Sequence, residues 1–512
     1  MGRPLRLGDM SHPPQRNLLT QPAWKPQDLG LPLPPSPHAV SVALPTWQDV
    51  IDYEEEHPRI AAALQAGYPR FFLHPVVARL FEKATSLFAE TDEGALVFPS
   101  AIEARRGADF VERKTGCPCR VHAFHEGPLH ALVFPEKARR TAREFWRYCG
   151  AIVSSRMAAL ALEGWDPLTV SRAEKAGAAA KSILRSRLAG LSGVDPGDVF
   201  LFPSGMMAVA AAHRLVTDLR PGLPTVQLDF PYVDVLRLQQ EFGSGVEFFP
   251  VAGADALGKV GDLAEAGAIA AVFAEVPSNP LLSCVPVDEI SDRLRAAGIP
   301  LVLDDTVASV INIDALAVAD LVTTSLTKAF SGAGDVIAGA LTLNPRSPHH
   351  QWFRSQLEAE FAASDPFWAE DAVVLEQNSR DFRERVLRMN ANAEALTAFL
   401  RQHPAVQRVW YPGDPAVFGK MARPEGGSGC LFSFLLKDEP AAAAFYDRLV
   451  LSKGPSLGTN FSLCCPYTLL AHYNELEWAS DCGVPRHLLR VSAGLEDSHD
   501  LIQRFAGALQ DS

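Results

Sequence analysis

The stretch SLTKAFSGAGD, Ser325 to Asp335, sets a single lysine, Lys328, among hydroxyls, small residues and glycines. A lysine amine stripped of water has a lowered pKa and becomes nucleophilic toward an aldehyde carbon, the chemistry of a Schiff base. Upstream, LVLDDT ends an apolar run with Asp304, Asp305 and Thr306. Adjacent carboxylates at the end of a buried strand need partners, and a protonated ring nitrogen is one such partner. Farther upstream, PSGMMA puts Ser204, Gly205 and Met206 where a strand turns into a helix. Free N–H groups at a helix start bind phosphate. Each feature alone has an ordinary reading: a capped helix start, a loop salt bridge, a surface lysine.

Together and in this order, the three features are more specific. A phosphate-binding turn, a strand-end aspartate and an imine-forming lysine are what pyridoxal phosphate requires. Two rival motifs fail. GAGDVIAG has Ile337 where a dinucleotide fingerprint needs its third glycine, and no phosphate-binding G-x-x-x-x-G-K-[ST] occurs.

The elements that must position these residues follow an α/β pattern from about residue 170. Helical AEKAGAAAKSILRSRLAGL precedes the strand DVFLFPSG, then helical MMAVAAAHRLV and the strand PTVQLDF. A helix and strand in LAEAGAIAAVFAEVPSNP, another pair in EISDRLRAAGIPLVLDDT, and the strands ADLVTTSLTK and VIAGALTLNP complete the series. Strands this continuously apolar predict a mainly parallel sheet covered on both faces, with ligands at the carboxyl ends of its strands. Residues 166–375 are read as this large domain. A long helix in SRDFRERVLRMNANAEALTAFLRQHP, strands at VQRVWYPG and GCLFSFLL, and a helix near 439–450 predict a smaller α/β domain over 376–512. Residues 40–165 read as an ordered N-terminal extension with helices near 75–90 and 136–150. Residues 1–39 are proline-rich and predict a disordered or surface-hugging arm.

Bulk composition is that of a soluble globular protein, 47% apolar and 21% charged. The net charge of −13 argues against a nucleic-acid surface, whose footprint would be basic. The eight cysteines lack the C-x-x-C spacing of a zinc site, so no metal is expected. No apolar run reaches the roughly 18 residues of a membrane helix, MGRPLRLGDM lacks a signal-peptide core, and Arg6 breaks an N-myristoylation motif. A cytoplasmic location is expected. Arg3, Arg6 and Arg16 hint at organelle targeting, with Asp9 against it.

FPSGMMA, EVPSNPLL, LVLDDT, ADLVTTSLTKAFSGAGDV, SLG at 456–458 and LLRVSAGLED occur in the order of one family. Over roughly residues 150–510 the chain resembles the Cys/Met-metabolism pyridoxal-phosphate enzymes, the cystathionine γ-synthase group of fold type I. AVSVALPTWQDVIDYEEEHPRI and AGYPRFFLHP further resemble the fungal members with long extensions. The resemblance implies that Lys328 carries the cofactor and then shuttles protons, while Asp304 pairs with the pyridinium nitrogen. It implies that Gly205 and Met206 give N–H groups to the phosphate, with Ser204, Thr306, Ser325 and Thr327 around it. Tyr232, in DFPYVDVL, would stack on the ring and could act as acid or base. Arg490 would clamp the substrate α-carboxylate in a two-point fork, with Asn279 and Ser456 at the same end. In IVSSRMA the family has tyrosine–x–arginine, reaching the neighbouring subunit's phosphate. Arg156 matches the arginine, and Ser154 replaces the tyrosine.

The implied reaction is γ-replacement on an O-acylated homoserine, with cysteine as nucleophile giving cystathionine for methionine biosynthesis. A carbon or amine nucleophile in specialised metabolism, or a β- or γ-lyase, would use the same site. Pro455 stands where γ-specific bacterial members often have glutamate, which leaves both carbons open at that position. A non-catalytic cofactor-binding regulator fits poorly with intact Lys328, Asp304 and Arg490. Small amino-acid substrates, no nucleic-acid or membrane partner, and a homo-oligomer, a tetramer built of dimers, are implied.

Overall fold

A computed structural model describes residues 16–68, 70–124 and 127–510. The centre is a seven-stranded sheet in the order Val199–Phe202, Gly339–Leu343, Leu321–Thr324, Leu301–Asp304, Val272–Glu275, Thr225–Leu228 and Val246–Phe249. The Gly339–Leu343 strand runs antiparallel to both neighbours; the remaining pairings are parallel. The sheet is mainly parallel, as the apolar strands predict. Strand side chains alternate between faces, and the core divides accordingly. Phe273 and Val302 pack on one face with Met207, Ala211 and Leu215 of the helix Gly205–Leu219. Val272, Ala274, Leu301 and Leu303 pack on the other with Leu257 and Val260 of the helix Ala254–Glu265. Val246–Phe249 is an edge strand that the sequence pattern does not signal. It is short and only partly buried, so it lacks the apolar run by which the central strands are recognised.

The expected helices of the extension form at Pro75–Phe88 and Arg139–Cys149. Between them stand a helix, Ala101–Thr115, and an antiparallel sheet of Glu93–Phe98, His130–Pro135 and Arg120–Ala123 that the sequence reading lacks. This extension is not an independent layer. Val76, Leu80, Phe98 and Phe145 share one apolar cluster with Phe202 and Phe273 of the central sheet.

The helix Phe382–Gln402 leads into a five-stranded C-terminal sheet, ordered Val406–Trp410, Leu431–Leu436, Leu489–Ser492, Leu463–Pro466 and Ser452–Lys453. Residues 16–39 are not a disordered arm. Leu18, Ala23 and Leu33 are buried against Phe461 and Leu463. The Ala23 N–H donates to Ser452 Oγ at 3.1 Å, and the Lys453 ammonium donates to the Pro45 carbonyl at 2.8 Å. Proline does not prevent order here, because this segment borrows the apolar surface it lacks from the C-terminal sheet. The first fifteen residues, with Arg3, Arg6 and Asp9, lie outside the described residues. Among the described residues no helix is long and apolar enough to cross a membrane, and no cluster of histidine, cysteine, aspartate or glutamate is arranged to hold a metal.

Candidate active site

The strand ends that carry the motifs converge on one cavity, lined by Ser204, Gly205, Asp304, Ser325, Lys328 and Arg490. At its base, Ser204 leaves the strand Val199–Phe202 in extended conformation and caps the helix Gly205–Leu219, accepting from the Met207 N–H at 3.1 Å. Its hydroxyl donates to the Gly150 carbonyl at 2.7 Å. Ser204 therefore lines the cavity while its side chain is committed to the helix start. Gly205 opens the helix beside Ser325, and a Cβ placed on it would lie 2.7 Å from Ser325 Cβ. The free N–H groups of a first turn and the Ser325 hydroxyl thus form one cradle, with Met206 beside it. Thr327 lines the cavity too, its hydroxyl donating to the Ala338 carbonyl at 3.2 Å.

Asp304 ends its strand facing the cavity. Its carboxylate accepts from the Thr306 N–H at 2.9 Å and from Thr323 Oγ1 at 3.1 Å, while burial pushes its pKa up. Asp305 points to the opposite face, buried and bound to Thr324 Oγ1. Alternation along the strand decides between the two carboxylates. Thr306 braces the site, its Oγ1 accepting from the Ser325 N–H at 2.8 Å.

The Lys328 amine donates to Ser456 Oγ at 3.3 Å. Burial, Arg490 and Arg70 together lower its pKa to about 7, which frees its lone pair near neutral pH. Arg490, on the strand Leu489–Ser492, is buried and donates to Asn279 Oδ1 at 3.1 Å and to the Pro455 carbonyl at 2.7 Å. Its guanidinium lies 4.6 Å from the centre of the Tyr467 ring. A planar cation held on several sides and open to the cavity is suited to a carboxylate. Tyr232 begins the helix Val233–Phe242 and is held by its N–H, which donates to Glu275 Oε1 at 2.7 Å.

One part of the site is absent from the sequence reading. Tyr68 and Arg70, from the extension, line the cavity. Arg70 Nη2 donates to the Tyr232 hydroxyl at 2.8 Å, and the Tyr68 ring centre lies 5.6 Å from the Lys328 amine. The tyrosine–x–arginine spacing that the resemblance places at 154–156 stands instead at Tyr68 and Arg70, within AGYPRFFLHP. Arg156 does not line the cavity. It pairs with Asp371 at 3.1 Å and donates to the Asp335 carbonyl at 2.8 Å.

The residues fit pyridoxal phosphate: a glycine whose Cβ would crowd the cradle, a deprotonatable amine, and a strand-end carboxylate within one cavity. Residues 168–510 match the model for the Cys/Met metabolism PLP-dependent enzymes, and residues 76–154 match that for the fungal trans-sulfuration enzyme N-terminal domain. The chain belongs to the Cys/Met metabolism PLP-dependent enzyme family. Its cofactor is pyridoxal phosphate. Among similar proteins is a cystathionine gamma-synthase of Neurospora crassa, 31% identical over 95% of this chain and 98% of that protein. Another is a dechlorinase/desaturase of L-2-amino-4-chloropent-4-enoate from Streptantibioticus cattleyicolor, 32% identical over 93% and 97%. Among solved structures, a cystathionine gamma synthase from Xanthomonas oryzae in complex with aminoacrylate and cysteine is 26% identical. Its TM-score is 0.56, covering 64% of this chain and 85% of that one. A gamma lyase from Micromonospora echinospora is 30% identical with the same TM-score, covering 63% and 84%. The two solved structures carry the names of a lyase and a synthase.

Proposed function

We propose that this enzyme replaces the acyloxy group at Cγ of an O-acyl-L-homoserine, with L-cysteine sulfur as the nucleophile, giving L-cystathionine and a carboxylate. The observation that carries this reading is the placement of the Lys328 amine and the Arg490 fork in one cavity, bridged by Ser456. The Lys328 amine donates to Ser456 Oγ, while Arg490 reaches the Ser456 carbonyl at 3.3 Å. An amino acid whose carboxylate sits on Arg490 presents its Cα and Cβ hydrogens toward Lys328. The full-length similarity to a cystathionine gamma-synthase supports the choice of reaction.

Bound cofactor supplies an electron sink for charge that develops on the substrate carbons. Asp304 would face the ring nitrogen and favour its protonated form. Gly205, Met206 and Ser325 would hold the phosphate, with Thr327 beside them, its hydroxyl tied to Ala338. Lys328 Nζ takes the Cα proton, and a Cβ proton leaves before the C–O bond at Cγ breaks. The acyl group departs as a carboxylate, the cysteine thiol gives up its proton to solvent as its sulfur bonds to Cγ, and the two protons taken from Cα and Cβ return to those carbons. Tyr232 would cover the ring, its hydroxyl held by Arg70.

The test is product analysis by mass spectrometry with O-acetyl- and O-succinylhomoserine, each offered cysteine and a panel of carbon and amine nucleophiles. Cystathionine as the main product is expected. A 2-oxo acid with ammonia, formed at the same rate without nucleophile, would make the enzyme a lyase instead.

A further inference from the structure

The strand Val272–Glu275 ends at the cavity beside the strand that ends in Asp304, and the register sets Glu275 directly against Asp304. Glu275 is buried and lines the same cavity. Two carboxylates side by side repel, and their partners differ. Asp304 is held by Thr306 and Thr323. Glu275 accepts from two backbone N–H groups, that of Tyr232 at 2.7 Å and that of Asn279. Burial and the neighbouring Asp304 push its pKa well up, which favours the uncharged form. A neutral carboxyl keeps its carbonyl oxygen as an acceptor.

The two donors belong to different parts of the site. Tyr232 opens the helix Val233–Phe242 without a side-chain cap of its own, so Glu275 supplies the acceptor at that end. Asn279 stands in a loop that closes on itself, the Ser278 N–H donating to the Ser283 carbonyl at 2.9 Å. Ser433 Oγ pins this loop to the C-terminal sheet, donating to the Pro280 carbonyl at 2.8 Å. Asn279 Oδ1 accepts from Arg490 Nη1 at 3.1 Å. Asn279 Nδ2 lies 3.5 Å from the hydroxyl of Tyr467, the ring that packs on the Arg490 guanidinium.

We infer that Glu275 is a positioning residue: one buried carboxyl group gathers the Tyr232 and Asn279 backbones, and so sets the aromatic cover of the cofactor ring at a fixed distance from the Arg490 fork. Its effect falls on recognition of the substrate α-carboxylate. The inference rests on the reading of Arg490 as the carboxylate fork, and is independent of the acyl group and of the nucleophile.

The test uses full-length holoenzyme and two probes that differ only in the carboxylate, L-norvaline and n-butylamine, each titrated against the visible spectrum of the bound cofactor. Wild type should bind norvaline more tightly. Glu275→Ala should weaken norvaline binding by roughly tenfold, as when one hydrogen bond to a charged group is lost, and leave butylamine binding unchanged. Glu275→Gln keeps an acceptor oxygen and should restore most of the norvaline affinity. A loss shared equally by norvaline and butylamine would show a general structural role and overturn the inference. A Gln variant as impaired as the Ala variant would overturn it too, because the acceptor would then not be what matters. Should Glu275→Ala fail to fold, Glu275→Asp withdraws the carboxyl by one methylene and should lose part of the norvaline preference. An unchanged preference in that variant, at wild-type cofactor content, refutes the positioning role. Arg490→Lys is the control. If it keeps the preference for norvaline, the fork reading itself fails; if it loses the preference and Glu275→Ala keeps it, only the role of Glu275 falls.

Discussion

Lys328 is set apart from an ordinary surface lysine by its surroundings. With its pKa brought to about 7 by burial and by Arg490 and Arg70, the amine is protonated below that pH and free above it. Cofactor-free enzyme mixed with pyridoxal phosphate should therefore gain its visible absorbance faster as pH rises through about 7, then level off. A rate still climbing steeply at pH 9 would show an unperturbed lysine. Borohydride should fix the cofactor to Lys328, and Lys328→Ala should take no label at that position. Asp304 and Asp305 separate by face. Asp304→Asn should lose on the order of 10²–10³ in rate, as when preorganised electrostatics are removed. Asp305→Asn should act through stability, since its partner is Thr324 and it faces away from the cavity. Equal rate losses from the two would undo the assignment. Arg490→Lys keeps the charge but loses the fork. The KM for the amino acid should rise strongly with cofactor occupancy intact, a split that equilibrium dialysis and steady-state kinetics would resolve.

At the scale of elements, the site depends on a strand ending where a helix begins. Ser204 satisfies the first turn of the helix Gly205–Leu219 and ties it to Gly150. Gly205 is required for a different reason: the helix start lies against Ser325, and any Cβ would meet that side chain at 2.7 Å. Gly205→Ala should force the cradle apart and weaken cofactor binding, with helix content by far-ultraviolet circular dichroism preserved. Titration of the cofactor against apoenzyme would measure it. An affinity within a factor of two of wild type would place the phosphate elsewhere.

For the whole molecule, the N-terminal segment covers apolar surface of the C-terminal domain. Leu33, Val42 and Leu44 are each at most 1% exposed, and burying a side chain of this kind contributes about 1.5–3 kcal/mol before ordering costs. A chain beginning at residue 46 should melt at a lower temperature, bind a hydrophobic dye through the uncovered Phe461 and Leu463, and lose cofactor. A truncated protein that keeps the wild-type melting temperature and cofactor content would show that the segment is dispensable. The three-stranded sheet of the extension shares its core with the central sheet, so the extension and the cofactor domain should unfold in one calorimetric transition.

The sequence alone determined the alternation of strands and helices and the position of Lys328, Asp304 and Gly205 along it, while Arg490 was named only through the resemblance. Those signals are local: an apolar run marks a buried strand, and the residue at its end falls at the ligand edge of a parallel sheet. It preferred Asp304 to the adjacent Asp305 through the resemblance alone; the register against Glu275 and Thr323 is what turns the Asp304 side chain to the cavity. Arg156 could be named from spacing, whereas its capture by Asp371 and the Asp335 carbonyl joins residues far apart in the chain. The N-terminal segment shows the limit most clearly. Its prolines left a disordered and a surface-hugging arm both open, because segment composition carries no information about surface donated by residues more than four hundred positions away. Arg70 lies 162 residues from the Tyr232 hydroxyl it holds, a separation that no local pattern spans. Long-range packing carried by neither periodicity nor a motif decided how the site is closed.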